Sequence, residues 1–519
     1  MKALSFGVVG AIAIFLAAGP VACGASETAE TGGSDSGVVE DAGGGKTDTG
    51  APDAGATFDG GTVDGSVGFP IISWRASFLA GTTDPGGNLL GGTEARALEA
   101  FDGKLFAGIG YWTDKDEGSL SLPGPQVIVL DRPGPEGGQW RQDLQLDEAG
   151  PEPYTDWRRY VAISTMKAVT FTTDGNGNEL STPVPLLVAG VWDRFDATEV
   201  FVRSATGPES WTRTTIIPQQ NPLDPDACRR HVRSFALHRD AVTGVDRVFA
   251  GTNGSAPCPR WIYSGVYDAS APGTIRWEAD PEPWTDAPGP DDRVTSFAVT
   301  GGSLYATVCG KIYVRTDGTV PTWTMIFSHP DDDCPAGPGE TGFRGLTPIP
   351  GGAAGDKLIM GLEGSTSQIG TLDPTAGNGV DLELDVISFL KDAWSRSWVG
   401  YTIVAYNDFA PVTLPSGRLV HLAGLEARIA ANTDDPGSWY GWDKGAWFLV
   451  RLADGNYELH EIADPTITPK PTLVATRTMI RSPFAGEENV VVYAGGFDCN
   501  GVIGVNHETA WIYRGALQP

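Results

Sequence analysis

The chain has little of what catalytic and metal centres are usually built from. Its 519 residues hold six cysteines and six histidines. Cys228–His231 and Cys499–His507 are close pairs, but neither has a second pair at zinc-finger spacing. No Gly-x-Ser-x-Gly elbow occurs, so the common sequence signal of an activated serine is missing. The acidic run Asp331–Asp333 is not followed by an Asp-x-Asp-x-Asp-Gly calcium loop. The stretch GGGKT, Gly43–Thr47, lacks the first glycine of a phosphate loop, because Glu40 stands there. No cofactor is expected, and calcium has no support beyond the acidic run.

Positive charge is also scarce. Lys and Arg number 36 against 65 Asp and Glu, for a net charge of −29. A surface of that sign repels nucleic acid and anionic lipid, so the bulk surface is expected to engage neither. Past the first twenty residues there is no long apolar run and no sustained 3.6-residue apolar period.

What the chain does have is repetition. Short runs rich in Val, Ile, Phe, Tyr and Trp alternate with Gly, Pro, Asp and Asn, the pattern of strands and turns. One class of run aligns seven times: LFAGIG from Leu105, LLVAGVW from Leu186, VFAGTNG from Val248, LYATVCG from Leu304, LIMGLEG from Leu358, LVHLAGLE from Leu419 and VVYAGGFD from Val491. Each is preceded by a candidate inner strand and followed by a third, and four repeats continue into a strand carrying Trp140, Trp211, Trp277 or Trp323. Such four-stranded units cannot bury their faces alone and stack radially. The expected fold is all-β, a seven-bladed β-propeller over residues 67–519. The last blade lacks a fourth strand, and ISWRASFLA, Ile72–Ala80, supplies a matching one with Trp74. The N-terminal strand is therefore expected to close the ring against the C-terminal blade, which removes an open edge.

The N-terminus carries Lys2, an apolar run and Gly19-Pro20, a secretory signal over residues 1–22. The string GPVAC, ending at Cys23, resembles a bacterial lipoprotein signal. That resemblance implies lipidation at Cys23 and a place in the cell envelope, as an outer-membrane or cell-surface lipoprotein; simple cleavage and secretion is the alternative. Residues 23–66 are nearly all Gly, Ala, Ser, Thr and Asp, the composition of a disordered tether. An exported context favours disulfides over metal. Cys228 and Cys258 flank one blade's first two strands, and Cys309 and Cys334 stand in a similar relation in the next, so these two pairs are the expected bridges.

Two groups of residues carry functional expectation. Loops containing Tyr111, Trp112, Tyr154, Trp157, Tyr160, Trp394, Trp398, Trp439, Tyr440 and Trp442 are longer than turns require. Exposed aromatics of this kind suit sugar stacking, and mutual packing is the plainer reading. The sharper group is a ring. The aligned inner-strand positions are Arg96, Lys167, Arg233, Thr295, Arg344, Thr402 and Arg477, basic at five of seven places in an acidic protein. Asp193, Asn253, Glu363, Glu426 and Asp498 align just beyond the second strands, on the same face. Guanidinium groups grip oxyanions bidentately, so this set reads as a ligand site for carboxylate or sulfate. Ion pairs fastening the ring are the plainer reading.

VFVRSATGPESW and IYVRTDGTVPTW resemble degenerate Asp-box repeats of sialidase-like propellers. In that family the box forms the turn between the third and fourth strands and is structural. No Phe-Arg-Ile-Pro motif accompanies them. The expected function is a non-catalytic, monomeric surface module that binds a glycan, another anionic small molecule or an envelope protein. A polysaccharide-acting hydrolase or lyase using one of the aligned carboxylates, and a purely structural or protein-interaction scaffold, are the alternatives. An unpaired carboxylate facing an open pocket would favour the enzyme.

Overall fold

The computed structural model describes residues 68–518, apart from 113, 115–117, 134–138, 196, 206–209, 219–229, 255–260, 289–291, 331–341, 378, 430–444, 469–472 and 499–507. The signal, the tether, Cys23, Cys228, Cys258, Cys334 and Cys499 all lie outside the described residues. Cys309 is disulfide-bonded. Its partner is among the undescribed cysteines.

The architecture is all-β. Successive antiparallel meanders follow one another along the chain. The first runs Glu94–Phe101, Lys104–Gly110, Gln126–Leu130 and Arg141–Gln145; the second Tyr160–Thr173, Glu179–Asp193, Thr198–Ser204 and Trp211–Ile217. Next come Arg230–Arg239, Asp246–Gly254, Ile262–Tyr267 and Ile275–Trp277, then Val294–Thr300, Ser303–Val308, Lys311–Thr316 and Thr322–Ser328. Gly342–Pro350, Asp356–Glu363, Gln368–Leu372 and Val380–Asp385 form another. Val399–Val404 and Ala410–Thr413 then share the partner Leu419–Ile429, which continues into Ala446–Arg451 and Tyr457–Ile462. Leu473–Arg481, Val491–Asp498 and Ala510–Leu517 end the chain.

The second strands repeat a small residue for a packing reason. A Cβ on Gly108 would sit 2.8 Å from Ile163, and one on Gly190 would sit 2.6 Å from Val232, each on the next meander's first strand. Glycine there lets neighbouring sheets approach face to face. The apolar clusters accordingly span meander boundaries: Ala97, Phe106 and Val127 pack with Ile163, Leu187 and Val191. Four first strands also pack on their successors, from Glu94–Phe101 on Tyr160–Thr173 through Val294–Thr300 on Gly342–Pro350, and Leu473–Arg481 packs back on Glu94–Phe101.

The N-terminal strand Ile72–Leu79 pairs antiparallel with Ala510–Leu517, with Ile72 opposite Leu517 and Trp74 opposite Gly515. Trp74 is buried, and its ring fills the space where a Cβ on Gly515 would lie, 2.6 Å away. Trp140 in the first meander donates its indole N–H to Ser77 Oγ at 3.0 Å. The chain's two ends are thus tied together and to the first meander.

One expected loop is ordered differently. The segment Ile387–Gly400 begins as a helix, Val386–Trp394, rather than an open aromatic loop. Asp385 caps it by accepting from the Ser388 amide at 3.0 Å, and Ser395 ends it in the left-handed region. Val386, Ile387 and Leu390 face the core, and Trp394 meets Trp447 edge-on at 5.7 Å. The aromatic loop residues Tyr111 and Tyr160 are buried as well, so packing rather than display is their role; Trp157 remains exposed.

Removing residues 67–80 deletes a paired strand with two buried aromatics, Trp74 and Phe78. The denaturation midpoint of the whole domain should fall, and Trp74→Ala alone should cost about 3 kcal/mol. A truncated chain as stable as the parent would show that end-to-end pairing contributes nothing.

Candidate functional site

The innermost strands carry bulges, and the bulges aim the site. The ladder between Glu94–Phe101 and its partner skips from Ala95 to Ala97, passing over Arg96. The same break isolates Arg233 between Val232 and Ser234, Thr295 between Val294 and Ser296, and Arg477 between Thr476 and Thr478. Arg344 sits at the edge of the break that runs to Thr347. A bulged residue leaves the alternation of the sheet and can be re-aimed. Here the bulge turns four arginines toward one point.

That point is Tyr406. The guanidinium carbons of Arg233, Arg477, Arg344 and Arg96 lie 4.0, 4.4, 4.9 and 5.7 Å from its ring centroid. Its hydroxyl accepts hydrogen bonds from Arg96 Nη2 and Arg233 Nη1. All four arginines are at most 3 % exposed, and Tyr406 is 5 % exposed. Stacking on an aromatic face tolerates several cations better than open contact would, but does not neutralise them.

Carboxylates do that. Arg477 Nε donates to Glu94 Oε1 at 2.6 Å, and Arg477 is also paired with Glu426. Glu94 Oε2 lies 3.4 Å from Arg96 Nε. Glu363 is held between Arg344 and Arg293, the latter through Nη2 at 2.7 Å. Burial pushes the Glu363 carboxyl up, and Arg344, Arg293 and Arg233 more than offset it, so its pKa lies below the ordinary value. For Arg477, burial acts against the charge, and Glu426 and Glu94 outweigh it. Nearby, the side chain of Asn253 is 3 % exposed with neither its amide oxygen nor its nitrogen hydrogen-bonded among the described residues. Trp192 meets His231, the residue opposite Asn253 in the ladder, with ring centroids 4.9 Å apart and the planes tilted by 57°.

Arg96, Arg233, Arg344, Arg477, Glu363 and Glu426 therefore meet as expected. Other expected members do not. Lys167 is not the register equivalent of Arg96: the residue skipped in its strand is Ser164, between Ile163 and Thr165. Lys167 sits three residues further along, where Glu99 raises its pKa most, with a contribution from Asp408. Burial raises the carboxyls of both Glu99 and Asp408, although Lys167 and Asp408 keep contact with solvent. Asp193 belongs to a separate cluster. It accepts from Arg159 Nε at 2.8 Å and from the Phe195 amide at 2.6 Å, and Arg159 also donates to Glu199 at 3.1 Å. Burial pushes its carboxyl up to about 7. The Asp498 backbone pairs with Leu473, and its side chain lies outside the described residues. Thr402 is buried, between the break at Val399/Tyr401 in its own strand and the larger one after Val404.

Three residues of the cluster escaped sequence reasoning: Glu94, Arg293 and Tyr406. Glu94 lies opposite Gly110, at the level where Glu363 and Glu426 stand in their own sheets. Tyr406 comes from an unusually large bulge. Between the pairs Val404–Leu425 and Ala410–Leu422 the inner strand advances six residues while its partner advances three. The Arg96 bulge holds one extra residue. Ala405 enters this segment at φ 52°, a left-handed conformation that costs a non-glycine residue about 1 kcal/mol. The sequence holds little signal for it: YTIVAYN at Tyr401 and LVHLAGLE at Leu419 are 18 residues apart, while MKAVTFT at Met166 and LLVAGVW at Leu186 are 20 apart.

Among the described residues no three His, Cys, Asp or Glu side chains are grouped to hold a metal ion. No family model matches the chain, and no curated protein matches it. Solved structures do. A NanB complex with Optactamide is 12 % identical over 88 % of this chain and 71 % of its own, with a TM-score of 0.39. The Dos1 propeller is 11 % identical over 86 % of this chain and 95 % of its own, at 0.38. A Trypanosoma rangeli sialidase with 2,3-difluorosialic acid is 12 % identical over 85 % of this chain and 57 % of its own, at 0.36. These neighbours are sialidase and propeller structures. Scores this low carry no argument about function, and the site is read from its own geometry.

Arg344→Ala should leave Glu363 buried with one arginine fewer. Breaking a buried pair costs about 3–5 kcal/mol, so urea denaturation should show a loss on that scale. A loss near that of an exposed pair, below ~1 kcal/mol, would contradict the buried pairing.

Proposed function

We propose that the chain is an exported, lipid-anchored, seven-bladed β-propeller whose axial arginine cluster binds an oxyanion of a glycan or other anionic ligand without transforming it. The pairing of Ile72–Leu79 with Ala510–Leu517, and of Leu473–Arg481 onto Glu94–Phe101, supports a ring closed between its first and last blades. The anchor at Cys23 and the envelope location rest on the N-terminal sequence alone.

The observation that carries the binding reading is the convergence of four guanidinium groups, from four different innermost strands, on one tyrosine. A fastening role needs only arginine–carboxylate pairs between neighbouring sheets. It does not need guanidinium groups from non-adjacent sheets to share one neutral acceptor. Planar forks aimed at a common point are what recognition of a carboxylate or sulfate requires. The hydrolase reading loses support from the same geometry. Glu363 and Glu426 are engaged by arginines, which suits counterions, and Asp193 stands in another cluster. Sialic acid, the ligand in a related complex of the Trypanosoma rangeli sialidase, is one carboxylated sugar worth including as a probe.

Thermal unfolding of the full chain with glucuronate, sialic acid, a sulfated disaccharide and neutral glucose tests the reading. The anionic saccharides should raise the melting temperature in proportion to the logarithm of their concentration, and glucose should not. Added salt should weaken the effect. If no anionic saccharide stabilises the protein, the cluster is an internal fastening.

A further inference from the structure

We infer that Tyr406 is the specificity-determining residue of the axial site: its hydroxyl occupies the position of the ligand's oxyanion, so that only a ligand carrying negative charge displaces it. The inference rests on the binding reading above and names how the site chooses.

The hydroxyl already does part of what a ligand oxygen would do. It accepts from Arg96 and Arg233, which come from different meanders, while the ring beneath it packs on Arg477 and Arg344. A phenol has the acceptor lone pairs for this but brings no charge. Hydrogen bonds from guanidinium to carboxylate or sulfate are about twice as strong as neutral ones. An incoming oxyanion therefore gains by replacing the phenol. A neutral sugar hydroxyl only exchanges one uncharged oxygen for another and gains nothing. Selection against neutral saccharides follows without any steric filter.

The segment that delivers Tyr406 is built to hold the ring there and to be separable from the sheet. It leaves the ladder after Val404 and rejoins it at Ala410. Its ends are pinned: the Ala405 amide donates to Gly424 O at 2.9 Å, and the Phe409 amide donates to Thr347 Oγ1 at 3.0 Å. Asn407 Nδ2 donates to Arg96 O at 2.7 Å, which ties the segment to the strand bearing one of the hydroxyl's own donors. Ala405 also presses on Gly345, where a Cβ would lie 2.5 Å from Ala405 O. Gly345 follows Arg344 and Thr347 lies in the same strand, so the tyrosine segment touches the arginine strands at three places besides the ring. Asn407 and Asp408 retain solvent contact, so the segment is not sealed into the core. A side-chain rotation of Tyr406 would vacate the point between Arg96 and Arg233 without breaking any of the three anchoring hydrogen bonds.

The test compares the full chain with its Tyr406→Phe and Tyr406→Ala variants by thermal unfolding against sodium sulfate, glucuronate and glucose, at constant ionic strength. Removing the hydroxyl leaves its two donors in place and removes its competition. The sulfate concentration giving half-maximal stabilisation should fall by about tenfold in Tyr406→Phe, the equivalent of one strong hydrogen bond no longer displaced. Tyr406→Ala should in addition respond to the larger glucuronate more strongly than Tyr406→Phe does. Glucose should remain without effect on the parent. If Tyr406→Ala does not fold, Tyr406→Phe keeps the stacked ring and decides alone. Equal or weaker sulfate response in Tyr406→Phe, with the parent responding, would overturn the stand-in role and leave the binding site intact. No response to any anion in parent or variants would overturn both.

Discussion

Burying several guanidinium groups at one point is the constraint on which the rest of this molecule turns. Arg96, Arg233, Arg344 and Arg477 are nearly inaccessible to solvent, and each lies within 5.7 Å of a single ring centroid. Charges of one sign so placed repel and lose hydration together, and the fold tolerates them only with acceptors built in from several directions. Glu94, Glu363 and Glu426 supply charge, and Tyr406 supplies an oxygen and a π-face. Each of these comes from a different part of the chain. The sheets must therefore keep their relative positions for the cluster to stay satisfied, and the end-to-end strand pairing is one of the contacts that keeps them there. Stability and, on the proposed reading, recognition are thus demands on the same residues.

Much of the strand content was legible because strands announce themselves through alternation and through turn residues. The small residues repeated in the second strands were visible, and their reason, close packing on the next first strand, appears only in the near contacts of Gly108 and Gly190. Trp74 marked the strand that pairs with the C-terminus. Arg96, Arg233, Arg344 and Arg477 could be brought together by alignment because their strands carry bulges of similar size. Where bulges differ, alignment fails. Lys167 was matched to the ring by composition, but the ladder assigns that register to Ser164. Thr402 was matched in the same way, and the larger bulge after Val404 delivers Tyr406 instead. Asp193 aligned with Glu363 to within one residue, and one residue along a strand reverses the face. The helix Val386–Trp394 is too short to show a period against aromatic loop composition.

The chemistry of the cluster restricts what the molecule can recognise. Its acceptors are carboxylates in charged pairs and one phenol; its donors are forks of fixed geometry. On the proposed reading a ligand that gains from entering must offer an oxyanion, and Trp192, whose ring lies 5.8 Å from the Arg96 guanidinium carbon and touches His231, borders the same point. That combination suits a small acid with polar substituents better than an apolar ligand or a cation.

The central claim is that the point between the four arginines is an anion position held by Tyr406 at rest. A crystal structure of the protein soaked in selenate, with the anomalous signal of selenium locating the ion, tests it most directly. The account predicts one ordered selenate within hydrogen-bonding distance of Arg96 and Arg233, with the Tyr406 side chain rotated away. Selenate found only elsewhere on the molecule, with Tyr406 still bonded to both arginines, would contradict it.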